Sequence, residues 1–180
     1  MRRVLSLAAL SILALSATAS AQRPGTMANP SPEIGVDAGI AFNLGTPSST
    51  EIAIPIPRIR VGFFISPALS IEPWLGLNSF SGGGFSGTDY QLGTGALYHF
   101  SPRRTASQYY VRPFLGINGT SGDLGSGSAV HFGIGGGIKM PIRDRIATRF
   151  EVNFAHEGGQ NGGPGRDAIG LLAGLSFYTR

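Results

Sequence analysis

The sequence predicts an all-β protein, and more specifically an eight-stranded antiparallel up-and-down transmembrane β-barrel. Apolar residues alternate with polar or small ones over long segments, which is the two-residue period of a strand. Only 13% of the 180 residues are charged, while 28 are Gly, and lipid is a solvent that tolerates so few surface charges. Short turns also alternate with longer connections along the chain, as they do in transmembrane barrels.

The N-terminus has the features of an export signal. Arg2 and Arg3 precede the apolar run Val4–Leu15, and Ala19-Ser20-Ala21 has the small residues that a signal peptidase cleaves after. The run is well short of the roughly 20 residues that a membrane-spanning helix needs. We therefore expect a cleaved signal peptide at 1–21, a Pro-containing periplasmic lead at 22–32 and one outer-membrane barrel at 33–180.

Four strands are predicted in the first half of the chain. Each carries its apolar residues at alternate positions, and the intervening positions are polar, charged or Gly in most cases. The predicted outward, lipid-facing residues are Ile34, Val36, Ala38, Ile40, Phe42 and Leu44; Ile59, Val61, Phe63 and Ile65; Leu69, Ile71, Leu75 and Leu77; and Tyr90, Leu92, Ala96, Tyr98 and Phe100.

Four more strands follow the same pattern in the second half. Their outward residues are Tyr109, Val111, Leu115 and Ile117; Val130, Phe132, Ile134, Ile138 and Met140; Ile146, Phe150, Val152 and Phe154; and Ile169, Leu171, Ala173, Leu175 and Phe177. None of the outward residues is charged, which matters because Arg or Lys at the midplane of such a barrel costs about 2 to 4 kcal/mol.

The connections fall into two classes that alternate. Short turns are predicted at Ser66–Ala68, Ser101–Ser107 and Ile142–Arg145, and these would be periplasmic. Mostly longer connections, rich in Gly, Ser and Asn, are predicted at Thr46–Thr50, Ser81–Thr88, Thr120–Ser126 and Glu157–Arg166. A barrel of this kind must close, because each unsatisfied backbone group costs several kcal/mol in hydrocarbon.

Proline residues interrupt the strand pattern at several places. Pro73 and Pro113 lie inside predicted strands, and Pro lacks the N–H that a closed barrel requires, so we expect bulges or strand ends there. Apolar positions are even-numbered before Pro55 and Pro57 but odd-numbered from Ile59 onward. This change predicts a one-residue bulge near Pro57.

Aromatic residues are predicted near the strand ends on the lipid-facing side, where girdles form in such barrels. They are Phe42, Tyr90, Tyr98, Phe100, Tyr109, Phe154 and Phe177.

The opposite face carries the strand charges and is the candidate functional constellation. An eight-stranded barrel has an interior just wide enough for side chains, so charges there must pair with one another. The predicted interior charge network comprises Asp37, Arg58, Arg60, Glu72, Arg112, Lys139, Arg149 and Glu151. We expect it to fill the barrel as a structural element; the alternative is a narrow or gated solute path lined by excess positive charge.

Other kinds of site find little support. The chain has no Cys, and its Arg residues are scattered, so we expect neither thiolate chemistry nor nucleic-acid binding. His156-Glu157 does not continue into an HExxH zinc motif, because position 160 is Gln160. Gly82–Gly87 fits GxGxxG, but no helix follows to present its N-terminus to a phosphate. We expect no metal, no cofactor, no catalytic residue and no enzymatic activity.

Several segments resemble the small eight-stranded outer-membrane β-barrel proteins of Gram-negative bacteria. They are VGFFISPALSIEPWLG at Val61–Gly76, Arg112–Gly116, GIGGGIKMPIRDRIATRFEVNF at Gly133–Phe154 and the closing GLSFYTR. The resemblance implies an outer-membrane location, contact with lipid and lipopolysaccharide, and a monomer. It also implies that the barrel-insertion machinery reads an aromatic signal in the last strand, here Phe177 and Tyr178, which Thr179 and Arg180 follow.

The resemblance leaves function open within that class. We expect a structural or surface-interaction role through the outer loops. A soluble exported lipid-binding barrel is an alternative, and it requires the apolar face to point inward and the charges outward. The outer-membrane lipid A deacylases are similar in having a strand-end His near the C-terminus, here His156. Their nucleophilic Ser follows two residues later, where this chain has Gly158, so acyl transfer lacks its nucleophile.

Overall fold

The computed structural model describes residues 31–44, 50–53, 56–100, 107–123, 125–159 and 165–179. The predicted signal peptide, the lead up to residue 30 and most of the predicted connections at Thr46–Thr50 and Ser101–Ser107 lie outside the described residues. None of the described residues belongs to a helix long and apolar enough to cross a membrane.

The described chain forms nine strand segments in one antiparallel sheet that closes on itself. They are β1 (Glu33–Leu44), β2 (Thr50–Ala53), β3 (Arg58–Ser66), β4 (Leu69–Gly82), β5 (Phe85–His99), β6 (Gln108–Gly122), β7 (Gly125–Arg143), β8 (Ile146–Glu157) and β9 (Arg166–Tyr178). Closure comes from β1 and β9, which pair without interruption from Glu33↔Tyr178 to Leu44↔Asp167. Because β2 and β3 are successive parts of one wall strand, the barrel has the predicted eight strands.

The second wall strand contains the predicted bulge. Both of its parts pair with β1, through Ala41↔Ala53 on one side of the prolines and Asp37↔Arg58 on the other. Four residues separate Ala53 from Arg58, whereas three separate Asp37 from Ala41. The second wall strand therefore carries one extra residue. This bulge explains why the apolar positions change from even to odd numbers around Pro57, as the sequence predicted.

The expectation of bulges or strand ends at Pro73 and Pro113 is wrong. Pro73 pairs with Thr94 and Pro113 with Ile134 inside continuous strands. With the strand on its other side, each proline strand lacks two pairs and then continues in the same register. The gap beside Pro73 lies between Arg60↔Trp74 and Phe63↔Ile71. The gap beside Pro113 lies between Gly95↔Phe114 and Tyr98↔Val111. The wall thus accommodates each missing N–H by a local gap on one side, without a change of register.

We call the end of the barrel that holds Glu33 and Tyr178 the terminal end, and the opposite end the loop end. The terminal end also holds the turns at Pro67–Ala68 and Asp144–Arg145. At the loop end, the long connections predicted at Ser81–Thr88 and Thr120–Ser126 are mostly strand, which differs from the expectation.

Two glycines explain the first of these tight hairpins. Gly83 and Gly84 have φ angles of 60° and 84°, and the type I′ turn that often joins two strands of a hairpin requires positive φ at both central positions. The neighbouring hairpin is attached to it, because Asp123 Oδ2 accepts hydrogen bonds from the Ser86 backbone N (2.8 Å) and Oγ (3.0 Å). The four strands β4 to β7 therefore continue together beyond the length of about 9 to 11 residues that crosses a bilayer.

The two faces of the barrel wall have opposite chemistry. Among the described residues, twenty-eight large apolar side chains are exposed, most of them on the outward face, whereas thirteen polar or charged residues are buried. Leu115, for example, is 55% exposed, while Arg149 is 1% exposed. This is the reverse of a soluble protein, and it is the opposite of what a soluble lipid-binding barrel requires.

Candidate functional site

Eight charged side chains of the described residues lie in the half of the lumen nearer the terminal end, and we call them the ionic cluster. Each is at most 5% exposed. Four are acidic and four are basic: Glu33, Asp37, Glu72 and Glu151, with Arg60, Arg112, Lys139 and Arg149. They come from six wall strands, and the inward parity of each strand brings them to the barrel axis.

Glu33 and Glu72 share cations in the first part of the cluster. Lys139 Nζ donates to Glu33 Oε2 at 2.7 Å and to Glu72 Oε1 at 2.9 Å. Arg149 Nη1 donates to Glu72 Oε2 at 2.6 Å, and Arg60 Nη1 donates to Glu33 Oε1. Glu33 of β1 and Glu72 of β4 therefore both reach Lys139 on β7, a strand that neighbours neither of them in the wall.

Glu151 is the centre of the second part. It accepts hydrogen bonds from Arg112 Nε at 3.0 Å, from Arg149 Nη2 at 2.5 Å and from the Tyr110 hydroxyl at 2.9 Å. The Tyr110 oxygen in turn accepts from Arg149 Nε at 2.7 Å. Tyr110 has two bonding partners, and Arg149 links the two parts.

Asp37 and Ser176 complete the coordination of Arg60. The Arg60 Nε donates to Asp37 Oδ2 at 3.0 Å, and its Nη2 donates to Ser176 Oγ at 2.6 Å. A Cβ on Gly35 would collide with the Arg60 guanidinium. Gly35, which pairs with Arg60 in the register, therefore makes room for its side chain.

The cluster corrects the predicted network in two respects. Glu33 belongs to it, although the sequence prediction omitted Glu33; the signal was present, since Glu33 shares the inward parity of Asp37. Arg58 does not belong to it, because no described carboxylate lies within 4 Å of its guanidinium. With four charges of each sign, the cluster itself has no excess of positive charge, which the alternative of a positively lined solute path would require.

An aromatic layer covers the cluster on the side of the loop end. Trp74 packs edge-on against Phe114, with ring centroids 6.0 Å apart, and His131 lies 6.3 Å from Trp74 and 6.1 Å from Phe114. Arg112 of the cluster lies beneath it, 4.6 Å from the Phe114 centroid. A guanidinium against aromatic faces gains cation–π stabilisation that partly offsets its burial. Trp74 and Phe114 are buried residues that the sequence analysis did not single out.

Above the aromatic layer lies a cavity of about 390 Å³, which we call the vestibule. It reaches the rim of the barrel, because Glu157 and Arg166 at the ends of β8 and β9 line it. Its lining residues are Ala41, Asn43, Ile56, Arg58, Asp89, Tyr90, Gln91, Phe114, Asn118, Gly119, Thr120, His131, Asn153, Ala155, Glu157, Arg166, Ala168, Gly170 and Leu172. The lumen therefore has a filled half and an open half.

The three histidines do not form a cluster. His99 is buried at the terminal end, with its ring stacked on Phe64 at 5.5 Å. His131 lines the vestibule, and His156 lies on the outward face, where Nδ1 is 2.8 Å from Asp167 Oδ1. Within the described ranges, no group of three or more potential ligands could hold a metal ion.

The predicted assembly signal lies in the closing strand. Phe177 is 42% exposed on the outward face and pairs with Ile34 and Ile146. Tyr178 is the last residue of β9 and pairs with Glu33. The ring of Phe177 is thus accessible at the edge of the terminal end.

Comparisons with known proteins identify the fold. No protein-family model matches the chain, and no curated protein matches it. Among solved structures, Neisserial surface protein A is similar at 18% identity and a TM-score of 0.66, over 82% of this chain and 97% of that one. Ail of Yersinia pestis (11% identity, TM-score 0.42, 82% and 97% coverage) and the outer membrane enzyme PagL (15%, 0.45, 79% and 97%) are more distant.

The similarity to Neisserial surface protein A confirms the predicted eight-stranded barrel of the outer-membrane type. At 18% identity it shows the fold alone. The role of this chain must therefore be argued from its own surface and lumen.

Proposed function

We propose that the chain is a monomeric, non-enzymatic outer-membrane β-barrel protein with a structural or surface-interaction role. The observation that carries the proposal is the opposition of the two wall faces, in which exposed apolar side chains surround a lumen filled by the ionic cluster. In a membrane, hydrocarbon surrounds the outward apolar face, and the charges of the inward face are satisfied by pairing with one another. In this orientation the terminal end is periplasmic, and residues 1–21 are the signal peptide that directs export.

Fractionation of cells that express the full chain tests the membrane location. We expect the protein in the outer-membrane fraction, soluble only with detergent. The unboiled barrel should migrate differently from the boiled chain in a gel, because a closed barrel resists denaturation by detergent. Recovery as a soluble periplasmic protein without detergent would contradict the proposal and favour the lipid-carrying barrel.

The ionic cluster argues against a conducting lumen. Its eight side chains are at most 5% exposed and meet at hydrogen-bond distances across the barrel. Any continuous path would have to break several charged hydrogen bonds, each contributing about 1.5 to 3 kcal/mol. Purified protein in planar bilayers is therefore expected to show no stable conductance, and stable anion-selective steps would establish the channel alternative instead.

The loop end is the proposed contact surface. Phe80 and Phe85, on the hairpin that joins β4 and β5, are 47% and 52% exposed. Leu77–Gly82 pair with β5, and no pairing with a described strand is found on their other side. An exposed strand edge beside two aromatic rings favours protein contacts. Replacing both Phe residues by Ser should weaken adhesion of expressing cells while the gel shift stays intact.

A hydrolytic activity on lipid A has weaker support. His156 and Asp167 form a pair on the outward face, but position 158, where the deacylases have Ser, is Gly158. Without a nucleophile the pair cannot form an acyl-enzyme. We expect no fatty acid release when the purified protein is incubated with lipid A; release that is lost in His156→Ala would establish the enzyme.

The proposed partners follow from the location. The outward face contacts lipid and lipopolysaccharide, and the barrel-insertion machinery reads Phe177 and Tyr178 during assembly. No nucleic acid, metal or cofactor is part of the proposal. Light scattering of the detergent-solubilised barrel tests the monomer, and a larger assembly would contradict it.

A further inference from the structure

The vestibule contains a cation, Arg58, that no described carboxylate contacts directly. Asp37 and Glu151 attract it from the ionic cluster, but Asp37 accepts from Arg60, and Glu151 accepts from Arg112 and Arg149. Arg58 is the first residue of β3 and lines this cavity. Its guanidinium carbon lies 5.5 Å from the Trp74 ring centroid, and no described carboxylate is within 4 Å of the guanidinium. Arginine binds carboxylates through two parallel hydrogen bonds. The vestibule therefore offers a binding group for a carboxylate from solution.

Two buried hydrogen-bonding atoms of residues that line the same cavity have no described partner. His131 is 8% exposed and lines the vestibule, and its Nδ1 has no described hydrogen-bond partner. Asn118 donates through Nδ2 to Glu157 Oε2 at 2.9 Å, while its buried Oδ1 has no described donor. A hydroxyl group fits both, because it can donate to the amide oxygen and either donate to or accept from the imidazole nitrogen.

The other charges of the vestibule leave Arg58 available. Glu157 accepts from Arg166 Nη2 at 2.9 Å as well as from Asn118, so its charge is compensated. Arg58 and Gln91 lie at the same height in the wall, because both pair with Gly76. Asp89 is the next inward residue of β5 toward the loop end, and so it lies above Arg58. Asp89 can therefore accept from a hydroxyl group of a molecule whose carboxylate lies deeper.

The size and floor of the cavity suit a small ring. Its volume of about 390 Å³ falls in the range of about 300 to 1,000 Å³ that is typical of small-molecule sites. Phe114 forms part of the floor and offers an apolar face to a sugar ring. From these observations we infer that the vestibule binds a small hydroxylated carboxylate of the sugar-acid class, with the carboxylate on Arg58 and hydroxyl groups on His131 and Asn118.

The protein carries its own optical probe for this site. Trp74 is the single Trp of the sequence and lies beside Arg58. Tryptophan emission of the folded, detergent-solubilised barrel can be followed during titration with glucuronate, and with glucose and acetate in parallel. Glucuronate should produce a saturable change, whereas glucose lacks the carboxylate and acetate lacks the hydroxyl groups, so both should bind far more weakly.

Variants connect the signal to the residues. Arg58→Gln should raise the Kd for glucuronate about tenfold or more, because it removes a charged hydrogen-bonding pair. Arg143→Gln is the matched control, since Arg143 is exposed beside the turn at the terminal end, and it should leave the Kd unchanged. The gel shift of each variant shows that it is folded, and His131→Phe provides a second variant that should also weaken binding.

Three results would overturn the inference. They are the absence of a saturable response to glucuronate, an unchanged Kd in folded Arg58→Gln and His131→Phe, and equal responses to acetate and glucuronate. The last would reduce the vestibule to an unspecific anion site. None of these results bears on the proposed membrane location, which fractionation tests separately.

Discussion

Lys139 and Glu33 are 106 residues apart in the sequence, yet the Nζ of Lys139 donates to Glu33 Oε2 at 2.7 Å. The contact crosses the lumen from β7 to β1. It forms only when β9 has closed the barrel against β1, because closure fixes where the two strands face each other. The ionic cluster is therefore a product of closure as well as a support for it.

Glu72→Gln should destabilise the folded barrel by about 3 to 5 kcal/mol, since it leaves buried cations short of a carboxylate. Glu72 binds both Lys139 and Arg149. Urea unfolding in lipid vesicles measures the effect. Asp144→Asn is the control, because Asp144 lies in an exposed turn, and it should change stability by less than about 0.5 kcal/mol.

A double variant separates charge balance from packing. Glu72→Gln combined with Arg149→Met removes one charge of each sign, so its cost should be clearly below the sum of the two single costs. Simple additivity in the same unfolding measurement would contradict the role assigned to ionic pairing.

Gly137→Ala should destabilise the barrel by about 1 to 3 kcal/mol, because a new methyl group meets a packed side chain. A Cβ at Gly137 would collide with the Tyr110 hydroxyl, which the cluster uses, and with the Phe150 carbonyl oxygen. At the adjacent, outward Gly136 the nearest atom is the Tyr110 carbonyl oxygen at 3.9 Å. Unfolding midpoints should therefore fall for Gly137→Ala and stay near the parent value for Gly136→Ala; equal effects would argue against the interior contact.

Leu115→Arg should lower the stability of the barrel in vesicles by about 2 to 4 kcal/mol if Leu115 faces hydrocarbon. Leu115 is 55% exposed on the outward face of β6. Ser81 also has outward parity, but it lies near the tip of the hairpin that joins β4 and β5, beyond the bilayer. Ser81→Arg should therefore fold as the parent does. Equal folding yields and equal stability for the two variants in vesicles would be incompatible with a membrane-embedded wall at Leu115.

Phe177→Ala should reduce the amount of assembled barrel in cells several-fold, because the insertion machinery is expected to read this aromatic residue. Ile169→Ala, an outward residue of the same strand, is the control and should assemble normally. Purified Phe177→Ala should still refold in detergent. Loss of refolding there would mean that Phe177 acts through stability, contrary to the assembly role.

Local periodicity was sufficient to predict most of the wall. The strands, their inward and outward faces and the bulge near Pro57 all follow from alternation, which depends on near neighbours in the sequence. The length of the connections was less predictable, because the composition of Ser81–Thr88, rich in Ser and Gly, is typical of a loop. Pairing with its neighbours, and with Asp123 of the next hairpin, makes it strand.

The sequence by itself determined which side of the wall each charge occupies, since parity is a local property of the strand. Only the tertiary structure decided how the charges are combined: Glu33 completes a balanced cluster, whereas Arg58 lies one layer above it, against Trp74. The physical reason is that the height of a residue in the lumen depends on the stagger between strands, which closure of the barrel sets. Alternation says that Arg58 points inward, and register decides that it lies in the vestibule.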